Sequence, residues 1–124
     1  DMSTPIAYGL AYPGRISSGV EPLDLSQFLQ LNFFKPDFER FPCLRLAYEA
    51  LRSGASAPTV LNAANEIAVD AFLAGRLGFM QIETVVAEAL SGIPMQSLSD
   101  LESILEIDRQ ARVFASSYVA KLRA

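Results

Sequence analysis

A mainly α fold is what this sequence predicts: a four-helix, bundle-like domain over residues 42–124, preceded over 1–41 by a short mixed α/β tail and linker. Three observations carry that expectation. Apolar residues recur at helical spacing in successive stretches from Pro42 onward, with short connections between them. Proline and glycine stand at the places where helices open and close. Upstream of Pro42 the pattern changes to a short helix, a loop and one alternating segment.

In chain order, Thr4 and Pro5 read as cap and first helical residue of a short helix ending near Ala11, where Pro13-Gly14 signals a turn. Arg15 to Pro22 reads as loop, and Leu23 to Gln27 fits no single pattern. Leu29, Leu31 and Phe33 alternate with Gln30, Asn32 and Phe34, which predicts a strand over Leu29–Phe34. A lone strand cannot satisfy its own backbone. The segment offers no partner within the chain, so it points to further sequence or to a second chain. The absence of an initiator methionine before Asp1 points the same way, to a removed leader or a piece of something longer.

Pro36 to Phe41 reads as a connector. Pro42 then opens a helix carrying Leu44, Ala47, Tyr48 and Leu51 and closed by Ser53-Gly54. The longest patterned run before the C-terminus is Ala57–Phe79. Val60, Leu61, Ala64, Ile67, Ala68, Ala71 and Phe72 make its buried face, Ser56 is placed to cap it, Pro58 sits in its first turn and Gly75 ends it. About 17 residues at about 1.5 Å each give a rod of roughly 25 Å, enough for the central member of a bundle. Gln81 to Leu90 follows with Ile82, Val85, Val86, Ala89 and Leu90 on one face. Ser99 and Glu102 have capping-box spacing ahead of a last helix that carries Leu101, Ile104, Ile107, Ala111, Phe114, Tyr118 and Leu122. That helix runs to the end or breaks near Ile107-Asp108, and Lys121 and Arg123 suit its C-terminal dipole.

Composition narrows the chemistry. With 51% hydrophobic and 19% charged residues among 124, the chain is long and apolar enough for a sizeable core. A net charge of −4, without basic runs, argues against a nucleic-acid partner, and no apolar run reaches the length of a membrane span. There is no histidine, which removes the commonest general base and transition-metal ligand, and with them zinc sites and Ser-His-Asp or Cys-His sets. Cys43, the single cysteine, is compatible with a reducing compartment. At a helix start it reads either as a reactive thiol or, in the absence of histidine, as a packed inert one. Asn62, Glu66 and Asp70 form one row with Asn65 beside it, either a solvated face or a ligand site. Glu102, Glu106 and Asp108 are better read as a polar helix face than as metal ligands, and Ser17-Ser18-Gly19 as a loop rather than a phosphate cradle. No glycine-rich phosphate loop is present, and residue chemistry alone shows no active site.

The ordered blocks do carry a resemblance. Asp1-Met2 with Thr4-Pro5-Ile6-Ala7, Tyr12-Pro13, Ser18-Gly19-Val20 with Pro22-Leu23-Asp24, Pro36-Asp37 and Phe41-Pro42-Cys43-Leu44 are part of it. Leu61-Asn62-Ala63-Ala64-Asn65-Glu66, Ala71-Phe72-Leu73, Phe79, Ile107-Asp108 and Ala111-Arg112 complete it. Together they resemble about the last third of 1-deoxy-D-xylulose 5-phosphate reductoisomerase, the block around Asn62–Glu66 being the most specific. The resemblance implies the end of a catalytic domain, a linker and a C-terminal helical domain. It implies an oxidoreductase of non-mevalonate isoprenoid biosynthesis, in the bacterial cytoplasm or plastid. That enzyme is a homodimer that uses NADPH and Mg²⁺ or Mn²⁺ to convert a sugar phosphate, 1-deoxy-D-xylulose 5-phosphate, to 2-C-methyl-D-erythritol 4-phosphate. The resemblance implies that the glycine-rich NADPH motif, the acidic metal ligands and the substrate-phosphate residues lie upstream of Asp1, so none is carried over and no catalytic residue is assigned. Met2 alone is carried over, as a cofactor-binding residue near the nicotinamide. The pattern departs at Ser3, Tyr8 and Tyr12, where the family has arginine, histidine and tryptophan in many members. The alternative reading is a stand-alone helical interaction module without catalysis.

Overall fold

The computed structural model describes residues 2–27 and 30–122, and these divide into two compact units, Asp1–Lys35 and Pro36–Ala124. In the first unit, α1 spans Ser3–Ala11 and a single 3-10 turn spans Leu25–Gln27. The N-cap of α1 is Met2, which makes no side-chain cap bond, so Thr4 is not the predicted cap but a residue inside the helix. None of the residues of α1 is buried.

The predicted strand is not formed among the described residues. Gln30–Phe34 has no regular secondary structure, and Leu29 lies outside the described residues. The physical reason is the one the sequence supplied: ladder hydrogen bonds need a neighbouring strand, and no described segment provides one. Phe33 and Phe34 are left 89% and 86% exposed, so the alternation reflects two apolar faces without a sheet to cover them.

The second unit is helical and is built around one helix. It comprises α2 (Pro42–Ser53), α3 (Ala57–Leu73), α4 (Gln81–Gly92) and α5 (Leu101–Leu122). α3 packs against all three of the others, which makes it the central member. Small side chains on its buried face allow this: Ala57, Val60, Ala63, Ala64, Ala68 and Ala71 are all buried, and helix axes approach closely only where the contact residues are small. Leu61, Ile67 and Phe72 flank this stripe and pack against the core while staying partly accessible. The predicted central face of α3 is therefore present, with its alanines at the centre and its large residues at the margin.

Local chemistry sets the ends. Pro42 stands in the first turn of α2, where its missing amide costs nothing, and Gly54 closes the helix at φ +63°. α3 ends in a paired-bond turn: Gly75, at φ +67°, donates its amide to the Phe72 carbonyl at 2.9 Å, and Arg76 donates to Ala71 at 2.8 Å. The Gln81 side chain accepts the Gly78 amide at 2.7 Å at the start of α4. α5 is continuous through Ile107-Asp108, and Ile107 is 1% exposed there. Its start is capped one residue later than the sequence suggests. Asp100, not Ser99, accepts the Ser103 amide at 2.8 Å, while the Ser103 hydroxyl reaches back to the Asp100 backbone. Lys121 lies in the last turn as expected, and Arg123 lies outside the described residues.

Two expectations are corrected by packing. In α2 the core residues are Leu46 and Ala50, and the apolar residues Leu44, Ala47, Tyr48 and Leu51 lie on exposed positions. Both sets satisfy helical spacing, and only the position of α3 and α4 decides which turns inward. Ser56 precedes α3 but makes no side-chain cap bond. It is 1% exposed, and its hydroxyl instead accepts the Gln96 amide at 3.0 Å and donates to Met95 Sδ at 3.8 Å. A buried hydroxyl thus ties the α4–α5 connector to the start of the central helix.

Gly92, the last residue of α4, marks a close approach that the sequence presents only as a helix end. A Cβ built there would stand 2.5 Å from Phe114 Cζ and 2.7 Å from its Cε2. Gly92→Ala is expected to destabilise the bundle by about 1–3 kcal/mol, the usual scale of overpacking. Adding Phe114→Leu should recover most of that loss in urea titrations. No recovery would show that the penalty comes from the glycine backbone and not from the ring.

Candidate functional site

Met2 stands at the start of α1 with its side chain 69% exposed and its carbonyl accepting the Ile6 amide at 3.2 Å. The first turn therefore presents an uncommitted apolar thioether to its surroundings. Farther along the same unit, Tyr8 meets Tyr12 edge to face, with centroids 6.1 Å apart, and the Arg15 guanidinium lies 5.1 Å from the Tyr8 centroid. Tyr8, Tyr12 and Arg15 thus form one aromatic–cation cluster.

A hollow of mixed character in this unit is lined by Thr4, Ser18, Glu21, Asp24 and Gln27 together with Val20, Pro22 and Leu23. Its chemistry does not suit an anion, since two of its polar groups are carboxylates. The hydroxyl bond of Ser26, then its amide and the Gln27 side chain, hold the Asp24 carboxyl below its ordinary range and keep it charged. In the Ser17-Ser18-Gly19 stretch the Ser17 hydroxyl accepts the Gly19 amide at 3.4 Å, and Gly19 has φ +72°. That is a tight turn using its own hydroxyl, in line with the loop reading.

The polar row of α3 has a structural use. The Asn62 amide donates to Glu66 Oε1 at 3.2 Å, and Glu66 Oε2 accepts from Arg112 Nη2 at 2.6 Å. Arg112 Nε and Nη2 also grip Asp108, at 2.7 and 3.2 Å. Arg112 thus joins α3 to α5 through a fork that Lys could not reproduce. The Arg112 bond, followed by that of Asn62, lowers the Glu66 pKa, and bonds to Asp108 and then Glu66 raise that of Arg112. Elsewhere on α5, Glu106 is held at about 2 by its bonds to Arg109 and then Gln110. Glu106 and Asp108 are therefore engaged with arginines of α5, and Glu102 lies exposed on the same helix. The tie itself escaped sequence reasoning, although the i, i+4 spacing of Asp108 and Arg112 hinted at half of it.

Glu66 is exposed and Arg112 partly so, and water and salt therefore weaken the link. Glu66→Gln and Arg112→Lys are each expected to lower the urea midpoint slightly, and the double variant by less than their sum. The difference should shrink in high salt, and strict additivity at low salt would remove the link from the account. A depressed carboxyl pKa contributes stability above the unfolded pKa and loses it as pH falls through the folded one. With Glu106 at about 2, its contribution is lost over pH ~4.5 to ~2, and Glu66 adds to the loss in the same direction.

Cys43 lies on an exposed position outside the core, with only part of its surface covered by neighbours, which corrects the packed half of the inert-cysteine reading. The other half gains support: partial burial first, and then the Glu83 carboxylate, push the thiol pKa up and disfavour the nucleophilic thiolate. Among the described residues no group of three or more histidine, cysteine, aspartate or glutamate side chains is placed to hold a metal ion, and no helix is long and apolar enough to cross a membrane.

The fold defines the class of protein: an α-helical bundle domain in which Arg112 of α5 is bonded to Glu66 of α3. Comparison with known proteins supplies the family. Residues 1–114 match the family model described as the DXP reductoisomerase C-terminal domain, and the chain belongs to that family. The 1-deoxy-D-xylulose 5-phosphate reductoisomerase of Janthinobacterium sp. (strain Marseille) is 56% identical over 119 residues, covering 96% of this chain and 30% of the relative. That of Tolumonas auensis is 55% identical over 122 residues, covering 98% and 31%. Among solved structures, a DOX-P reductoisomerase in complex with NADPH, fosmidomycin and magnesium superposes with TM-score 0.93 at 44% identity, over 99% of this chain and 32% of that one. The enzyme of Zymomonas mobilis in complex with NADPH gives TM-score 0.87, also at 44% identity, over 96% and 31%. The chain therefore spans about 30% of the length of the relatives it matches.

Proposed function

We propose that this chain is the C-terminal portion of an NADPH-dependent reductoisomerase that converts 1-deoxy-D-xylulose 5-phosphate to 2-C-methyl-D-erythritol 4-phosphate. In this reading residues 1–41 are the tail of the catalytic domain with the linker, and residues 42–124 are a helical domain with a structural role. One observation carries it: identity above one half extends over nearly the whole chain, in relatives that bear this activity as their name. The start of α2 at Pro42 and the common core that α2–α5 share support a helical domain from residue 42, with the connector 36–41 belonging by compactness to the same unit as the helices.

Met2 is assigned to the nicotinamide end of NADPH. Its exposed, flexible thioether suits contact with a planar ring. NADPH supplies the hydride when bound. In this reading the divalent cation is not held by this chain, whose described residues bring no carboxylate cluster together. The sugar phosphate substrate, the homodimer and a cytoplasmic or plastid location belong to the same proposal, with neither nucleic acid nor membrane as a partner. The competing module reading assigns no use to an exposed methionine at the start of α1.

A chimera provides the test. This chain replaces the matching C-terminal segment of the Tolumonas auensis enzyme, and NADPH oxidation is followed with the deoxyxylulose phosphate and Mg²⁺. Activity is expected in the chimera and not in the isolated chain, whose sequence contains no glycine-rich cofactor loop. Met2→Ala in the chimera should raise KM for NADPH more than KM for the sugar phosphate. A folded but inactive chimera would favour the interaction-module reading, and turnover by the isolated chain would overturn the proposed division of labour.

A further inference from the structure

We draw no further inference here: the strongest candidate, the apolar groove of about 330 Å³ at the start of α2 lined by Phe41, Cys43, Leu44, Phe79 and Met80, carries nothing because nothing in the structure shows what covers it.

Discussion

Ile107→Ala is expected to cost the bundle about 2–5 kcal/mol, and Ile107→Val about 0.5–1.5 kcal/mol. Among the described residues Ile107 is the largest of the fully buried side chains, at 1% exposure, and it sits on α5 in the same core as the alanine face of α3. Removing its outer carbons deletes buried apolar contacts and leaves a void. Ala111, one turn along α5 and fully buried, bears no side chain long enough to swing into it. Limited collapse is what places a substitution toward the upper part of the range. The measurement is a urea titration of the full chain, in which the midpoint should fall with the slope unchanged. Equal losses for alanine and valine would show that the site relaxes around the cavity and that the core is softer than its burial indicates.

Ser56→Ala is expected to cost about 1–3 kcal/mol, because it leaves the Gln96 amide without its acceptor in a part-buried place. The change removes a single oxygen, so packing loss is small and the effect reports mainly on the hydrogen bond. Hydrogen exchange separates the two roles this serine was open to. A helix cap would protect the Thr59 amide, whereas the tie to the connector protects that of Gln96. Loss of protection at Gln96 with little change at Thr59 is the expected result. The reverse pattern would restore Ser56 to its predicted capping role. Stability within about 0.5 kcal/mol of the parent, the level of an unremarkable surface change, would mean water replaces the hydroxyl.

The helical part of the chain was legible because its signals are local. Proline at the start of α2, glycine after α3 and the apolar spacing of α3, α4 and α5 each act within one or two turns, and the helices lie where those signals put them. The inward face of α4 was also readable: Ile82, Val85, Val86 and Ala89 leave no second apolar face to choose from. α2 was not readable in this way. It carries apolar residues on two faces, and choosing Leu46 and Ala50 over Leu44, Tyr48 and Leu51 requires knowing where α3 and α4 stand.

The polar residues divide along the same line. Asn62 and Glu66 lie one turn apart, and their mutual bond follows from helix geometry. The longer reach from Glu66 to Arg112 crosses 46 positions and exists only because α3 packs against α5. The family was readable from the ordered residue blocks, above all Asn62–Glu66. What that block does in this chain was not, since its carboxylate finds its partner on another helix.

By itself, then, the sequence determined which stretches are helical, where most of them stop, that α3 is the central rod, and to which family the chain belongs. These rest on backbone hydrogen bonds between neighbours in sequence, on residue geometry at the ends, and on the order of its residue blocks. Only the tertiary structure decided which face of α2 is buried, that Ser56 holds the connector instead of capping a helix, that Gly92 makes room for Phe114, and that Arg112 joins α5 to α3. Each of these depends on groups far apart in sequence. Local propensity is indifferent to such contacts, and burial and hydrogen-bond satisfaction select among the alternatives only once the helices have packed.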